Sequence, residues 1–153
     1  MKKPKLLATI LLLSFCGLTQ AEGDDITWNT SLKSQFFAGK TIEESDSVID
    51  LEAPYRAEDP AIVPIKVSSK FPQSKDKYIK KIWLLVDKNP FPFVGEFEFF
   101  PESGKADLAM RIRVNTYSNI RAIAETNDGK FTMTKKFVKA SGGCSAPIGA
   151  DLD

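Results

Sequence analysis

The sequence predicts an all-β chain, an antiparallel β-sandwich of about seven strands preceded by one short helix. Three observations predict it. Apolar and polar residues alternate over several short runs, the period of a strand with one buried face. Turn-forming groups such as Asn89–Pro90, Pro101–Glu102–Ser103–Gly104 and Asn127–Asp128–Gly129 separate these runs at short spacing. Only one stretch, near residue 30, carries helical spacing.

That helix is expected at about 30–38. Asn29–Thr30–Ser31 supplies N-cap candidates, Leu32, Phe36 and Phe37 are spaced for one face, and Gly39 is placed as the stop. An irregular arm packed on the core by Trp28 and Phe37 is the alternative. Strands are expected next at Val48–Glu52 and Ala61–Ser68. Pro64 cannot donate to a ladder, so the second of these should be an edge or contain a bulge.

Tyr78–Asp87 has the strongest β pattern, with Ile79, Ile82, Trp83, Leu84, Leu85 and Val86 reading as a central strand. Phe93–Phe100 should place Phe93, Gly95, Phe97 and Phe99 on one face and Glu96 and Glu98 on the other. Leu108, Met110, Ile112 and Val114 point inward on the next strand, with Arg111 and Arg113 outward. Ser118–Thr126 and Phe131–Val138 complete the set around a hairpin turn at Asn127–Asp128–Gly129. Strand number and spacing suit an immunoglobulin-like sandwich.

The first 21 residues are expected to be a cleaved secretory signal. Lys2, Lys3 and Lys5 precede an apolar run from Leu6 to Leu18, and Thr19–Gln20–Ala21 offers a small-x-small cleavage site. The run is shorter than the ~20 residues a membrane-spanning helix needs. Of 153 residues, removal of 21 leaves 132, enough for one domain, expected over 22–139 and followed by a tail at 140–153. The leader takes 3 of the 21 basic residues, leaving 18 against 20 acidic, a net charge of −2. No basic excess points to nucleic acid, and no membrane contact is expected after cleavage.

Cys16 would leave with the leader, so Cys144 becomes the one remaining thiol. An exported chain with a single cysteine has no internal disulfide to make. Gly142 and Gly143 before it lack a Cβ and permit close approach of another molecule. Ser141 lies before the glycines and Ser145–Ala146–Pro147 follows, so no regular element should run through the segment. Cys144 therefore reads as an exposed working thiol on an open arm, with burial or an intermolecular disulfide as the alternatives. Lys135, Lys136 and Lys139 would favour its thiolate modestly.

The chain has no histidine. That excludes the usual zinc sites and His-based catalytic triads, and no catalytic residue, metal ligand or cofactor is assigned. A stand-alone thiol oxidoreductase would lack both a second cysteine and an imidazole base. Glu96 and Glu98 lie side by side on one strand face, whereas paired carboxylates of glycoside hydrolysis face each other across a cleft. Arg111, Arg113 and Arg121 read either as a cationic patch or as a solvated outer face.

At Phe137–Val138–Lys139–Ala140–Ser141–Gly142–Gly143–Cys144 the chain resembles the SoxY family, the sulfur-carrier subunit of periplasmic thiosulfate oxidation. Its closest likeness is to the SoxYZ-like carriers found beside quinoprotein (PQQ) dehydrogenases. Supporting segments are Leu51–Glu52–Ala53–Pro54–Tyr55–Arg56–Ala57–Glu58–Asp59, Val63–Pro64, Tyr78–Ile79, Arg113–Val114–Asn115 and 119–126. The resemblance implies an immunoglobulin-like sandwich that pairs with a SoxZ-like subunit or domain. It also implies that Cys144 holds a covalent sulfur adduct on the arm formed with Ser141, Gly142, Gly143 and Ser145, while partner enzymes act on it.

Two departures stand out. In SoxY proper the cysteine has glycines on both sides, whereas here Ser145 follows. SoxYZ-like carriers continue into a SoxZ-like half, which is expected here on a separate chain or beyond this segment. The rival expectation is a non-catalytic interaction module of a quinoprotein dehydrogenase system, with Cys144 structural or tethering.

Overall fold

The alternating runs fold into strands close to their expected places in the computed structural model, which describes residues 25–140. In chain order these are β1 (Ile42–Glu44), β2 (Ile49–Glu52), β3 (Val63–Ser69), β4 (Ile79–Val86), β5 (Phe93–Glu98), β6 (Leu108–Ile112), β7 (Ser118–Thr126) and β8 (Phe131–Val138). A five-stranded sheet has the order β1-β8-β7-β4-β5, and a three-stranded sheet the order β2-β3-β6. The architecture is the expected β-sandwich, with one strand more. That strand, β1, pairs in parallel with β8, whereas all other ladders are antiparallel.

Side chains of alternating residues fill the space between the sheets. Ile82, Leu84, Val86, Ile120, Ala122, Ala124 and Val138 meet Ile49, Leu51, Val63, Ile65, Val67 and Ile112 there. The opposite face of the large sheet would be wet in a bare sandwich. Here the N-terminal helical segment covers it, burying Trp28, Leu32 and Phe37 against Leu85, Ile123, Phe131 and Met133. Strand β7 is thus covered on both faces, and every residue of it is buried except the half-buried Glu125.

The helical segment opens with a wide π turn over Trp28–Leu32 and continues as α1 (Lys33–Phe37). It begins before Asn29–Thr30–Ser31, so those residues lie inside it rather than at its cap. The Thr30 hydroxyl donates instead to Ile26 O four residues back at 2.7 Å. Gly39 does close the helix. Its φ of +72° completes a tight turn in which Lys40 N–H donates to Phe37 O at 3.0 Å.

Two local features depart from the expected alternation. The β4–β5 ladder shifts register between Leu84 and Leu85, pairing Leu84 with Gly95 and Leu85 with Phe93, so Val94 is the extra residue. The bulge moves Phe93 from the face of Phe97 to the helix side, where it stacks on Phe36 at 5.7 Å. Pro64 lies on a central strand, opposite Arg111 of β6. However, β2 stops at Glu52 opposite Lys66, so at Pro64 the strand is locally an edge and no ladder donor is missed.

Candidate functional site

The segment leading to Cys144 leaves the sandwich from the end of β8, and its root is firmly held. Lys139 pairs in parallel with Arg56: its N–H donates to Tyr55 O at 2.7 Å, and Ala57 N–H donates to Lys139 O at 3.0 Å. Ala140 is only 1% exposed and belongs to the inter-sheet core. Cys144 and its neighbours Ser141, Gly142, Gly143 and Ser145 lie outside the described residues.

Aromatic rings surround this root. Phe137 stands between Tyr55, at 6.3 Å, and Tyr117, at 6.5 Å edge-on. Both tyrosines are exposed. The Lys139 ammonium lies 4.8 Å from the Tyr55 ring centre, a cation–π contact that keeps its charge at the surface.

A cavity of about 360 Å³ opens beside the root, lined by Pro54, Arg56, Glu58, Asp59, Ile62, Pro64 and Arg111. It exists because the β2–β3 ladder ends short of the two prolines. Asp59 Oδ1 accepts from Ala61 N–H at 2.8 Å, which shapes the loop around it. A larger cavity, about 760 Å³, lies around the Asn127–Gly129 turn at the other end of β8. Seven strand steps of about 3.4 Å separate the ends of β8, which removes that cavity from the root.

The charged residues singled out in the sequence do not converge. Arg111 is exposed on the three-stranded sheet, whereas Arg121 is buried on the far face of the five-stranded one, so the two share no patch. Arg121 donates from Nε and Nη2 to Asp87, and from Nη2 to Asp25 Oδ1 at 2.5 Å, with the Trp28 ring 4.8 Å from its guanidinium carbon. Burial lowers the Arg121 pKa, but the hydrogen bonds to Asp87 and Asp25 outweigh it and hold the group above its ordinary value.

Lys135 belongs to the same cluster, donating to Asp25 Oδ2 at 2.6 Å and pairing with Glu44 at 3.1 Å. Its charge is committed to the helix side, to Asp25 and Glu44. Glu96 and Glu98 both clamp Lys81, at 2.5 and 2.8 Å, and Glu96 also accepts from Trp83 Nε1. They form a cross-strand ion cluster with no cleft between them. Among the described residues no group of three or more His, Cys, Asp or Glu side chains could hold a metal ion.

Sequence reasoning noted Tyr55, Arg56, Glu58 and Asp59 only within a family-like segment, without a role. Their proximity to Lys139 depends on a contact more than 80 residues away in sequence, which no local pattern signals.

The fold and the held root define a β-sandwich of the kind seen in solved sulfur-carrier and superoxide reductase structures. The sulfur carrier protein SoxY from Chlorobium limicola f thiosulfatophilum is 25% identical, with a TM-score of 0.54 over 71% of this chain and 92% of that one. A superoxide reductase (neelaredoxin) from Ignicoccus hospitalis is 19% identical, with a TM-score of 0.53 over 61% of this chain and 80% of that one. The second likeness concerns the fold alone. The sequence pattern of the family Sulfur oxidation protein SoxY matches residues 33–144, so the chain belongs to the SoxY family. The match ends on Cys144. Comparison with curated proteins found no match.

Proposed function

We propose that this chain is an exported, periplasmic carrier that holds a sulfur group covalently on Cys144 and presents it to partner enzymes. The observation that carries the reading is the built root. β8 is locked to the Tyr55–Ala57 segment, Ala140 is seated in the core, and the family match runs on to Cys144. Four residues span at most about 13 Å from Ala140, so a fixed base and a short tether together would define the volume the thiol searches.

The chain supplies a thiolate and a rigid handle. Joining thiosulfate to the thiol as Cys–S–S–SO₃⁻ releases one proton and two electrons, which a partner oxidoreductase must accept. No group for that redox step is assigned here, and the carrier works as a substrate of other enzymes. A SoxZ-type subunit is the expected structural partner, and proteins of Sox or quinoprotein dehydrogenase systems the expected enzymes.

Intact mass of the protein from its native compartment, before and after reductant, tests this. A reductant-labile addition mapping to Cys144, absent in Cys144→Ser, is expected, with a mass that identifies the cargo. A bare thiol that stays bare with thiosulfate and partner proteins present would overturn it in favour of a non-catalytic interaction module.

A further inference from the structure

We propose that the side of the sandwich between β5 and β6 is an interface for a second copy of this chain, each copy adding its β5 to the other's β6. Both strands are sheet edges, β5 at the end of β1-β8-β7-β4-β5 and β6 at the end of β2-β3-β6. β2 packs across β7 and β8, which puts β6 towards the β5 side. β6 runs parallel to β2, and β5 runs antiparallel to β8. Arg56, beyond β2, runs parallel to Lys139, beyond β8, so β5 and β6 point in opposite directions.

The backbone groups on this side have no partner among the described residues. Phe99 N–H donates to Lys80 O, and by the alternation of an antiparallel ladder Phe97 and Gly95 also face β4. Glu96 and Glu98 therefore turn their amides outward, on a stretch that the Val94 bulge leaves regular. Lys70 N–H donates to Val48 O, so the amides of Val63, Ile65 and Val67 face β6. Their partners Ile112, Met110 and Leu108 face back, and Ala109 and Arg111 turn outward. Between the two edges Val94, Phe97, Phe99, Leu108 and Met110 border the inter-sheet core yet stay half-exposed. Two unpaired edges around an apolar seam form a surface suited to strand addition.

Charge selects the occupant. Glu96 and Glu98 project on the outer face of the large sheet and share one cation, Lys81, so that edge is net acidic. Arg111 projects on the outer face of the small sheet, exposed and without an acidic partner among the described residues. Joining β5 to a second β5 sets glutamate near glutamate, and joining β6 to β6 sets arginine near arginine. A two-fold axis along the strands instead sets β5 against β6 of the other copy twice, in antiparallel order. Ala109 and Arg111 then exchange backbone hydrogen bonds with Glu96 and Glu98. Arg111 meets one glutamate directly or diagonally on a shared outer face, and the half-exposed seam of each copy closes on the other.

Sedimentation velocity from ~1 to ~500 μM, a range that spans micromolar dissociation constants, tests this under reductant so that no disulfide through Cys144 contributes. A concentration-dependent dimer is expected. At the higher concentration hydrogen exchange should slow at the amides of Glu96, Glu98, Ala109 and Arg111, whereas those of Phe97 and Met110 stay slow at both. Glu98→Arg and Arg111→Glu should each weaken the dimer about tenfold, since the reversed charge repels at both ladders. The double variant, with the charges exchanged, should regain the parent's affinity. A chain that stays monomeric throughout overturns the proposal and leaves this side to a different partner. A dimer whose four outward amides still exchange fast, or one that the exchanged charges do not restore, overturns it as well.

Discussion

Arg121 and Asp87 form a two-pronged ion pair, Nε to Oδ1 at 2.8 Å and Nη2 to Oδ2 at 2.7 Å, in which neither side chain meets solvent beyond 1%. The pair lies on the face of the large sheet that the N-terminal helical segment covers. It joins β7 to the end of β4, and through Asp25 it joins both to the start of the described chain.

Removing one member strands the other in a dry site. Asp87→Ala is expected to cost about 3 kcal/mol, lowering Tm by roughly 10 °C in a calorimetric scan. The paired apolar replacement Arg121→Met with Asp87→Leu should lose less than Asp87→Ala alone, since no charge is left buried. A larger loss in the double variant would show that the ion pair itself is stabilising.

Acid should release the helical segment first. Burial raises the Asp25 carboxyl pKa, but the hydrogen bonds from Lys135 and Arg121 outweigh it and hold the group below its ordinary 3.8. A depressed folded-state value means stability that is fully present above the unfolded pKa and lost as pH falls through the folded one. Trp28 fluorescence and near-ultraviolet circular dichroism should therefore hold steady down to about pH 4 and change below it. In Asp25→Asn this acid-linked part of the change should be absent.

Gly39 stops the N-terminal helical segment in a backbone conformation that depends on handedness. At φ +72° a Cβ meets no atom within 4 Å, so Gly39→Ala suffers backbone strain without a clash. A loss of about 1 kcal/mol by urea unfolding is expected, and Gly39→Asn should lose less because asparagine tolerates that region better. Equal losses for the two would point to the side chain rather than the backbone.

The Lys81–Glu96–Glu98 cluster should matter little for function. Glu96 stands on an accessible strand face and holds Lys81 and Trp83. Glu96→Gln is expected to cost no more than about 1 kcal/mol and to leave loading of Cys144 unchanged. A loss of loading would bring this face into the surface used in the proposed loading of Cys144.

Much of the sandwich is written in local pattern. Ser118–Thr126 and Phe131–Val138 are strands at the residues where alternation and the Asn127–Gly129 turn put them, and Gly129 takes the positive φ of +81° that such a turn needs. Strand β1 was not legible, because Ile42–Glu43–Glu44 is three residues long, mostly polar, and forms only by lying parallel to β8. The Val94 bulge was hidden for a related reason. Phe93, Gly95, Phe97 and Phe99 alternate without a break, and only pairing with β4 reveals that Phe93 has changed face.

For the working site the division follows the reach of each interaction. The order Gly142–Gly143–Cys144 is a property of consecutive residues, so the sequence states it outright. The burial of Arg121 and the meeting of Arg56 with Lys139 depend on partners 34 and 96 residues away for the first and more than 80 for the second. Their charges look like solvated surface until packing removes the water from one and opens a cavity beside the other. Alternation decides which residues can face inward, but only the covering of a face decides which of them become dry.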